Sequence, residues 1–244
     1  MQAVILAAGM GSRLGTLTEK IPKALIDVGG KPLIAHSIEI LRDSGVRRFV
    51  IVTGYRAYKI RSYLDEHYDD IEVEYVHNHR YETTNNIYSL YLAAKHMSGS
   101  YYILNSDIIF HPGIFRNIHE SDRENLTISV DFREELGEEE MKVVVEEERV
   151  VEISKMIDPR RAHGEYIGIT KVTERSVNIL IESLEETMDV YGKRVFYEHA
   201  FQTMIDKGHE VNFAPTSGLA WTEIDTIEDL IHAREEVYPA IAGR

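Results

Sequence analysis

The sequence predicts an α/β fold with a Rossmann-like, doubly wound and mostly parallel sheet that carries a small mixed β extension. Short apolar strands alternate with amphipathic helical patterns through residues 2–107, which is typical of parallel sheets with helical crossovers. The first strand, at residues 2–8, ends directly in a glycine-rich turn. Short, glutamate-rich β-like runs replace the alternation after residue 125, which indicates the mixed extension.

The elements follow in a regular order along the chain. Strands are predicted at 2–8, 47–55, 71–78 and 101–107, and helices from Pro32 to Gly45, at 57–67 and at 85–97. The second half is predicted to hold β runs at 126–132, 141–147, 149–155 and 166–171, helices at 174–188 and 196–207, a strand at 209–214 and a helix at 226–238. The acidic stretch 134–152 is interpreted as a solvated face or a mobile hairpin. Nothing marks a boundary, so residues 1–244 are expected to form a single domain.

The composition excludes several classes of function. The chain has no cysteine, which excludes disulfides, thiolate zinc sites and cysteine nucleophiles. A net charge of −14 argues against nucleic acid as a partner. No apolar run is long enough to span a membrane, and no cationic leader precedes the first strand. We therefore expect a cytoplasmic protein that does not bind a membrane.

The charge is distributed unevenly. The first 34 residues carry a net charge of +2, which leaves −16 on the rest of the chain; the charged residues of this segment are Arg13, Lys20, Lys23 and Lys31 against Glu19 and Asp27. A cationic segment in an acidic protein predicts a small anionic ligand at the N-terminal turn.

The glycine-rich turn fits neither of two common phosphate-binding designs. A Walker A loop needs Gly-Lys-Ser/Thr, and this turn has none. A dinucleotide fingerprint needs a third glycine opening a helix, but Leu14 stands at that position and Gly15 comes one residue late.

The stretch "LAAGMGSRLGTLTEKIPKAL" resembles the nucleotidyltransferases that activate sugar and alcohol phosphates with a nucleoside triphosphate. Glycines let backbone N–H groups approach a phosphate, and Arg13 and Lys23 bring two cations to a triphosphate that must lose pyrophosphate. The resemblance implies that Arg13 and Lys23 are catalytic. It implies nucleotide contacts from Ala7, Ala8, Gly9, Gly11, Ser12, Arg13, Lys23, Asn85, Asn86 and Ser106.

Two aspartates are candidates for a Mg²⁺ site. Asp107 follows a predicted parallel strand, at the edge where ligands bind in open α/β sheets. The stretch "WTEIDTIEDL" resembles a late element of the same family, and this resemblance implies that Asp225 shares the metal with Asp107. Thr226 is expected to cap the following helix. Glu223 could also approach the metal, but it is expected to face outward. The implied reaction is in-line attack by a phosphomonoester on the α-phosphorus, with no covalent enzyme intermediate.

The nucleotide is predicted to be CTP. "TTNNIYSLYLA" is similar to the Asn-x-Ile-Tyr-Ser helix start of cytidylyltransferases acting on phosphocholine, aminoethylphosphonate and inositol 1-phosphate. Asn85 or Asn86 could contact the base or the triphosphate. Either asparagine could instead only cap the helix.

The acceptor is predicted to be inositol 1-phosphate. Lys142 suits an anionic phosphate and is a poor neighbour for choline. The single tryptophan, Trp221, together with Tyr166 and Phe196, leaves a choline cage open. The substrate-binding candidates are Lys142, Glu165, Tyr166, Gly168 and Glu198. A composition with two glutamines and 28% charged residues is typical of proteins from heat-adapted organisms. In such organisms the family resemblance implies synthesis of CDP-inositol. It also implies that a separate membrane phosphotransferase acts downstream. Phosphocholine, aminoethylphosphonate and sugar 1-phosphates stay alternatives, as does a nucleotide-sensing regulatory subunit without turnover.

Overall fold

The computed structural model describes residues 1–243 as a mixed sheet covered by helices. The strands are β1 (Gln2–Ala7), β2 (Asp27–Val28), β3 (Lys31–Pro32), β4 (Arg48–Thr53), β5 (Glu72–His77), β6 (Tyr101–Asn105), β7 (Ile108–Phe110), β8 (Leu126–Phe132), β9 (Lys142–Glu146), β10 (Arg149–Ser154), β11 (Gly164–Val172), β12 (Val211–Pro215) and β13 (Trp221–Glu223). The helices are α1 (Leu33–Asp43), α2 (Ala57–His67), α3 (Asn86–Ala94), α4 (Pro112–His119), α5 (Val177–Tyr191), α6 (Glu198–Asp206), α7 (Ile227–His232) and α8 (Tyr238–Ala242).

Nine strands form the main sheet in the order β5-β4-β1-β6-β11-β8-β12-β10-β9. The first four are mutually parallel, as the alternation of strands and helices predicts. Strand β11 runs antiparallel to β6 and begins the mixed half. The carboxyl ends of β1, β4 and β6 therefore meet at one edge of the sheet.

The mixed half continues the same sheet and is larger than the small extension that the sequence predicts. Strands β9 and β10 form a hairpin, and the turn between them places Glu147 and Glu148 at positive φ. Strand β9 also pairs with β11, where Val143 lies opposite Gly164. The acidic stretch is therefore partly built into the sheet through this hairpin.

The sheet buries both of its faces, which explains why its central strands are continuously apolar. In β1, Val4 and Leu6 pack in one cluster with α3, α5 and α6. Ala3 and Ile5 pack on the opposite face with α1, α2 and α4. Among residues 1–243, no helix is long and apolar enough to cross a membrane.

The chain after the sheet returns to the edge where the parallel strands end. Strand β13 pairs with the short strand β7, so that Glu223 lies opposite Ile108. Helix α7 begins after a reciprocal cap: the Thr226 hydroxyl accepts the Asp229 N–H, and the Asp229 carboxylate accepts the Thr226 N–H. The predicted capping role of Thr226 is confirmed.

Candidate active site

A cavity of about 260 Å³ opens at the carboxyl edge of the parallel strands. Its lining combines backbone and small side chains from the glycine turn, amides from the start of α3, and charged groups from six later segments. The predicted residues that line it are Ala7, Ala8, Gly9, Arg13, Lys23, Asn85, Asn86, Ser106, Asp107, Glu165, Tyr166, Gly168, Glu198 and Asp225.

The glycine turn is shaped by close backbone packing rather than by a regular helix. Gly11 has φ +64°, and a Cβ there would lie 2.9 Å from the Lys23 Cβ. The Thr18 hydroxyl donates to the Gly11 carbonyl at 2.9 Å, which closes the turn. Gly11 and Ser12 do not line the cavity, so the structure gives Gly11 the role of letting the loop and Lys23 approach each other.

Lys23 links the two predicted metal-binding aspartates. Its Nζ lies 2.8 Å from Asp107 Oδ2 and 2.6 Å from Asp225 Oδ1, and Arg13 contacts Asp225 at 2.6 Å. Burial alone would lower the pKa of Lys23, but the carboxylates of Asp107, Asp225 and Glu223 outweigh it and raise that pKa. Lys23 is therefore held as a cation.

Glu223 is a third member of this carboxylate cluster: the residue is solvent-exposed, as expected, and one of its carboxylate oxygens nevertheless lies near the two aspartates. One carboxylate oxygen from each of Asp107, Glu223 and Asp225 lies within 4.8 Å of the others. The pairing of β13 with β7 brings Glu223 there, because it places Glu223 beside the residue that follows Asp107. Partial loss of hydration in the crowded cluster and the negative charges of Asp107 and Asp225 raise the pKa of Glu223 above its ordinary value.

The cluster fits a divalent cation of the Mg²⁺ type. Asp107 Oδ1 is buried and has no hydrogen-bond partner among residues 1–243. Oxygen ligands from carboxylates are the ligands that Mg²⁺ prefers. The Lys23 ammonium already shows that a positive charge is stabilised between Asp107 and Asp225.

The asparagines at the start of α3 have different contacts. The Asn85 side chain caps the helix by accepting the Asn86 N–H at 2.7 Å. Asn86 Oδ1 accepts the backbone N–H of Tyr197 at 2.9 Å. Both residues line the cavity, so capping and a contact with a nucleotide are compatible in this geometry.

The far end of the cavity is acidic and carries one lysine. Glu165 and Glu198 are 8% and 4% exposed, and burial raises the pKa of each to about 7. Glu198 Oε2 has no hydrogen-bond partner among the described residues. Lys155 lines the same end, with its Nζ 5.1 Å from the centre of the Phe196 ring.

Two predicted substrate residues have other contacts in the structure. Lys142 is fully buried, and its Nζ donates to the carbonyls of Gly137, Glu138 and Glu140 at 3.0–3.2 Å, so it holds a loop and does not line the cavity. The Tyr166 hydroxyl bonds Thr170 at 2.7 Å and Tyr197 at 2.8 Å, so only the rest of that side chain faces the cavity. The expectation that Lys142 meets a substrate phosphate is therefore corrected.

Gly168 is required where β11 passes β6. Its φ is +83°, and a Cβ there would lie 2.7 Å from the Asn105 Nδ2. The register between β11 and β8 also shifts across this position. Gly168 thus shapes the cavity wall through its backbone.

Sequence reasoning missed several lining residues. They are Asn78, Tyr81, Asn105, Glu139, Met141 and Lys155. Asn78 is 1% exposed, and its amide donates to the hydroxyls of Thr84 and Ser89, which organises the loop before α3. A polar residue directly after a predicted parallel strand was the signal that could have found Asn78.

An open α/β sheet with a cationic glycine turn facing a carboxylate cluster is an arrangement suited to binding a nucleoside triphosphate together with a divalent cation. The chain belongs to the MobA-like NTP transferase domain family, whose family model matches residues 3–150. Its relatives include nucleotidyltransferases, with cytidylyltransferases among them.

Three comparisons place the chain within this family. A bifunctional IPC transferase and DIPP synthase of Aquifex aeolicus is 32% identical over 252 residues, which cover 99% of this chain and 53% of that protein. A choline-phosphate cytidylyltransferase of Streptococcus pneumoniae is 42% identical over 117 residues, covering 48% of this chain and 49% of that protein. The chain thus spans about half the length of these curated relatives.

Among solved structures, the inositol-1-phosphate CTP transferase of T. maritima superposes with a TM-score of 0.83 at 26% identity, covering 99% of this chain and 94% of that one. The predicted Rossmann-like core and nucleotidyltransferase fold are confirmed by this match.

Proposed function

We propose that the chain transfers CMP from CTP to inositol 1-phosphate, giving CDP-inositol and pyrophosphate. Support comes from the T. maritima structure, whose name states inositol 1-phosphate and CTP, and from the alignment with the Aquifex aeolicus protein, which covers 99% of this chain. The start of α3, with Asn85 and Asn86 in the cavity, supports CTP as the nucleotide.

The observation that favours a polyol over choline is the state of the aromatic rings. Lys155 Nζ lies 5.1 Å from the centre of the Phe196 ring, and Arg133 Cζ lies 5.1 Å from the centre of the Trp221 ring. A quaternary ammonium binds best to an aromatic face that carries no other cation. Two of the three rings considered for a choline cage, Phe196 and Trp221, are already paired with a protein cation, while Tyr166 is not paired with one among the described residues.

Inositol hydroxyls suit the groups that remain at this end of the cavity. Glu165 and Glu198 are buried carboxyl groups with pKa values near pH 7, so each can accept a hydrogen bond and, when protonated, donate one. Lys155 provides a cation for the phosphate of the acceptor.

The remaining residues divide the chemistry of the transfer. Arg13 and Lys23 neutralise the triphosphate as pyrophosphate leaves, and the cavity aligns the acceptor oxygen with the α-phosphorus. Asp107, Glu223 and Asp225 would hold Mg²⁺, which supplies charge neutralisation on phosphate oxygens when bound. The proposed transfer involves no covalent intermediate with a side chain of the protein.

The test is pyrophosphate release with CTP and Mg²⁺, measured in parallel with inositol 1-phosphate, phosphocholine, aminoethylphosphonate and a hexose 1-phosphate. Release with inositol 1-phosphate, and its loss in Asp107→Asn, supports the proposal. Release with phosphocholine instead would overturn the acceptor, and release only with UTP, ATP or GTP would overturn the nucleotide.

If no combination of nucleoside triphosphate and acceptor gives pyrophosphate release, the alternative of a regulatory subunit would be favoured. Against that alternative stands the joint placement of Arg13, Lys23, Asp107 and Asp225 in one cluster with short contacts. A cytoplasmic location and a downstream membrane phosphotransferase that consumes the product remain part of the proposal.

A further inference from the structure

The two ends of the cavity are joined by the loops that carry their residues. Asn85 and Asn86 stand at the nucleotide end, and residues 193–198 lead into α6 at the acceptor end. The backbone N–H of Asn85 donates to the Lys193 carbonyl at 2.8 Å, and Arg194 Nε donates to the Thr83 carbonyl at 3.2 Å. These bonds hold the loops together along the cavity rim.

Asn86 makes the link that lies closest to the acceptor end. Its Oδ1 accepts the Tyr197 N–H at 2.9 Å, and a backbone N–H can only donate, so the orientation of this amide is determined. Asn86 Nδ2 has no hydrogen-bond partner among residues 1–243. Asn86 lines the cavity, and Nδ2 is the part of its amide that the bond to Tyr197 leaves unused.

Tyr197 is the residue through which this link acts. It is fully buried, and its hydroxyl bonds Asn105 at 3.1 Å and Tyr166 at 2.8 Å. Its neighbours Phe196 and Glu198 both line the cavity. A shift of the Tyr197 backbone would therefore move an aromatic ring and a buried carboxyl group at the acceptor end together.

We propose that Asn86 is a positioning residue that fixes the acceptor end of the cavity through its bond to the Tyr197 N–H, while its amide nitrogen serves the nucleotide. The inference rests on the proposed function for the identity of the two substrates. It goes beyond that function because it assigns the two halves of one side chain to different substrates.

Two substitutions separate the two halves of the amide. Asn86→Ala removes both, and leaves a buried backbone N–H without its acceptor. Asn86→Asp keeps an oxygen for the Tyr197 N–H and replaces the donor with a second oxygen. We expect the KM for the acceptor to rise about tenfold in Asn86→Ala and to stay within about twofold of the wild type in Asn86→Asp, whereas the KM for CTP rises in both.

Gln202→Ala is the matched control. Gln202 lies on α6, and its Oε1 accepts the Ile153 N–H at 2.8 Å, so this substitution also frees a backbone N–H that α6 had bonded. It lies outside the cavity lining. A general loosening of α6 would raise the acceptor KM in both alanine variants, whereas positioning through Tyr197 raises it only in Asn86→Ala.

Amide hydrogen exchange of the segment around Tyr197 provides a readout independent of turnover. We expect faster exchange at Tyr197 in Asn86→Ala, with protection restored in Asn86→Asp. An unchanged acceptor KM in Asn86→Ala, or a failure of Asn86→Asp to restore both readouts, would overturn the proposal. The kinetic measurements use whichever acceptor the wild type converts. If the wild type does not convert inositol 1-phosphate, the proposed function is contradicted, but the positioning role of Asn86 can still be tested with the acceptor that is converted.

Discussion

Replacing Lys23 with methionine removes an ammonium group that touches both Asp107 and Asp225. Lys23 is 8% exposed, and its Nζ lies 2.8 Å and 2.6 Å from the two carboxylates. Methionine keeps most of the buried aliphatic volume. In the variant, the carboxylates of Asp107 and Asp225 repel each other, because the positive charge that lay between them is gone.

The expected loss of stability can be estimated from these contacts. Removing one partner of a buried ion pair costs about 3–5 kcal/mol. The Asp107 and Asp225 side chains are 23% and 25% exposed, so water screens part of the repulsion and we expect the lower end, about 3 kcal/mol. For a chain of this size that corresponds to a fall in Tm of about 9 °C.

The assay is thermal unfolding of wild type and Lys23→Met in EDTA and in Mg²⁺, together with pyrophosphate release. In EDTA the variant should unfold about 9 °C earlier. Mg²⁺ should stabilise the variant more than the wild type, because in the variant no ammonium competes for the carboxylates. Turnover should fall by about 10²–10³, since a cation that stabilises the departing pyrophosphate is lost.

Lys171→Met is the control, because Lys171 is also partly buried but donates to the carbonyls of His119 and Ser121 away from the cavity. It should lose stability and keep its turnover. A Lys23→Met variant with near-wild-type turnover, or with an unchanged Tm in EDTA, would refute the reasoning.

Three further predictions concern the acceptor end. Lys142→Met should lower stability by about 2 kcal/mol, because three carbonyls lose their donor, without changing the acceptor KM. Lys155→Met should raise the acceptor KM about tenfold, since the cation that lines this end is lost. The raised pKa of Glu198, about 7 against an ordinary 4.5, means that its stabilising contribution is complete below pH 4.5 and lost as the pH rises through 7. Glu198→Gln should therefore gain up to about 3 kcal/mol over wild type at pH 8 and little at pH 4.5.

Steady-state kinetics and urea unfolding at the stated pH values check these outcomes. A raised acceptor KM in Lys142→Met would restore the substrate role that the structure denies it. An acceptor KM unchanged in Lys155→Met would remove the phosphate role proposed for Lys155. A stability difference between Glu198→Gln and wild type that does not change with pH would show that Glu198 is not buried as a neutral acid at low pH.

The parallel half of the fold could be predicted from local pattern. The helical pattern at 57–67 coincides with α2, and the β run at 126–132 coincides with β8. Each of these elements buries one helical stripe or one strand face, so the spacing of its apolar residues shows the periodicity of a helix or a strand. Strands β7 and β13 were missed because each is three residues long, and each is held by a partner more than a hundred positions away.

The site was predictable where a residue sits next to a strand end. Asp107 and the glycine turn follow β6 and β1 directly, and the edge of a parallel sheet brings them together. The lysines of the β9–β10 hairpin were not predictable in this way. The strand register places Lys142 opposite Ser154, and the Lys142 ammonium donates to the Gly137 carbonyl in the preceding loop. Lys155, which directly follows Ser154, lines the cavity instead.

The sequence by itself determined the chemistry of this protein: a glycine turn with Arg13 and Lys23, aspartates for a metal, and a parallel sheet to hold them. Each of those features depends on neighbours within a few residues. The tertiary structure decided which further groups complete the site, including Glu223, Lys155 and the bond from Asn86 to Tyr197. Those contacts arise from strand pairing and loop packing between distant segments, which local sequence patterns do not encode.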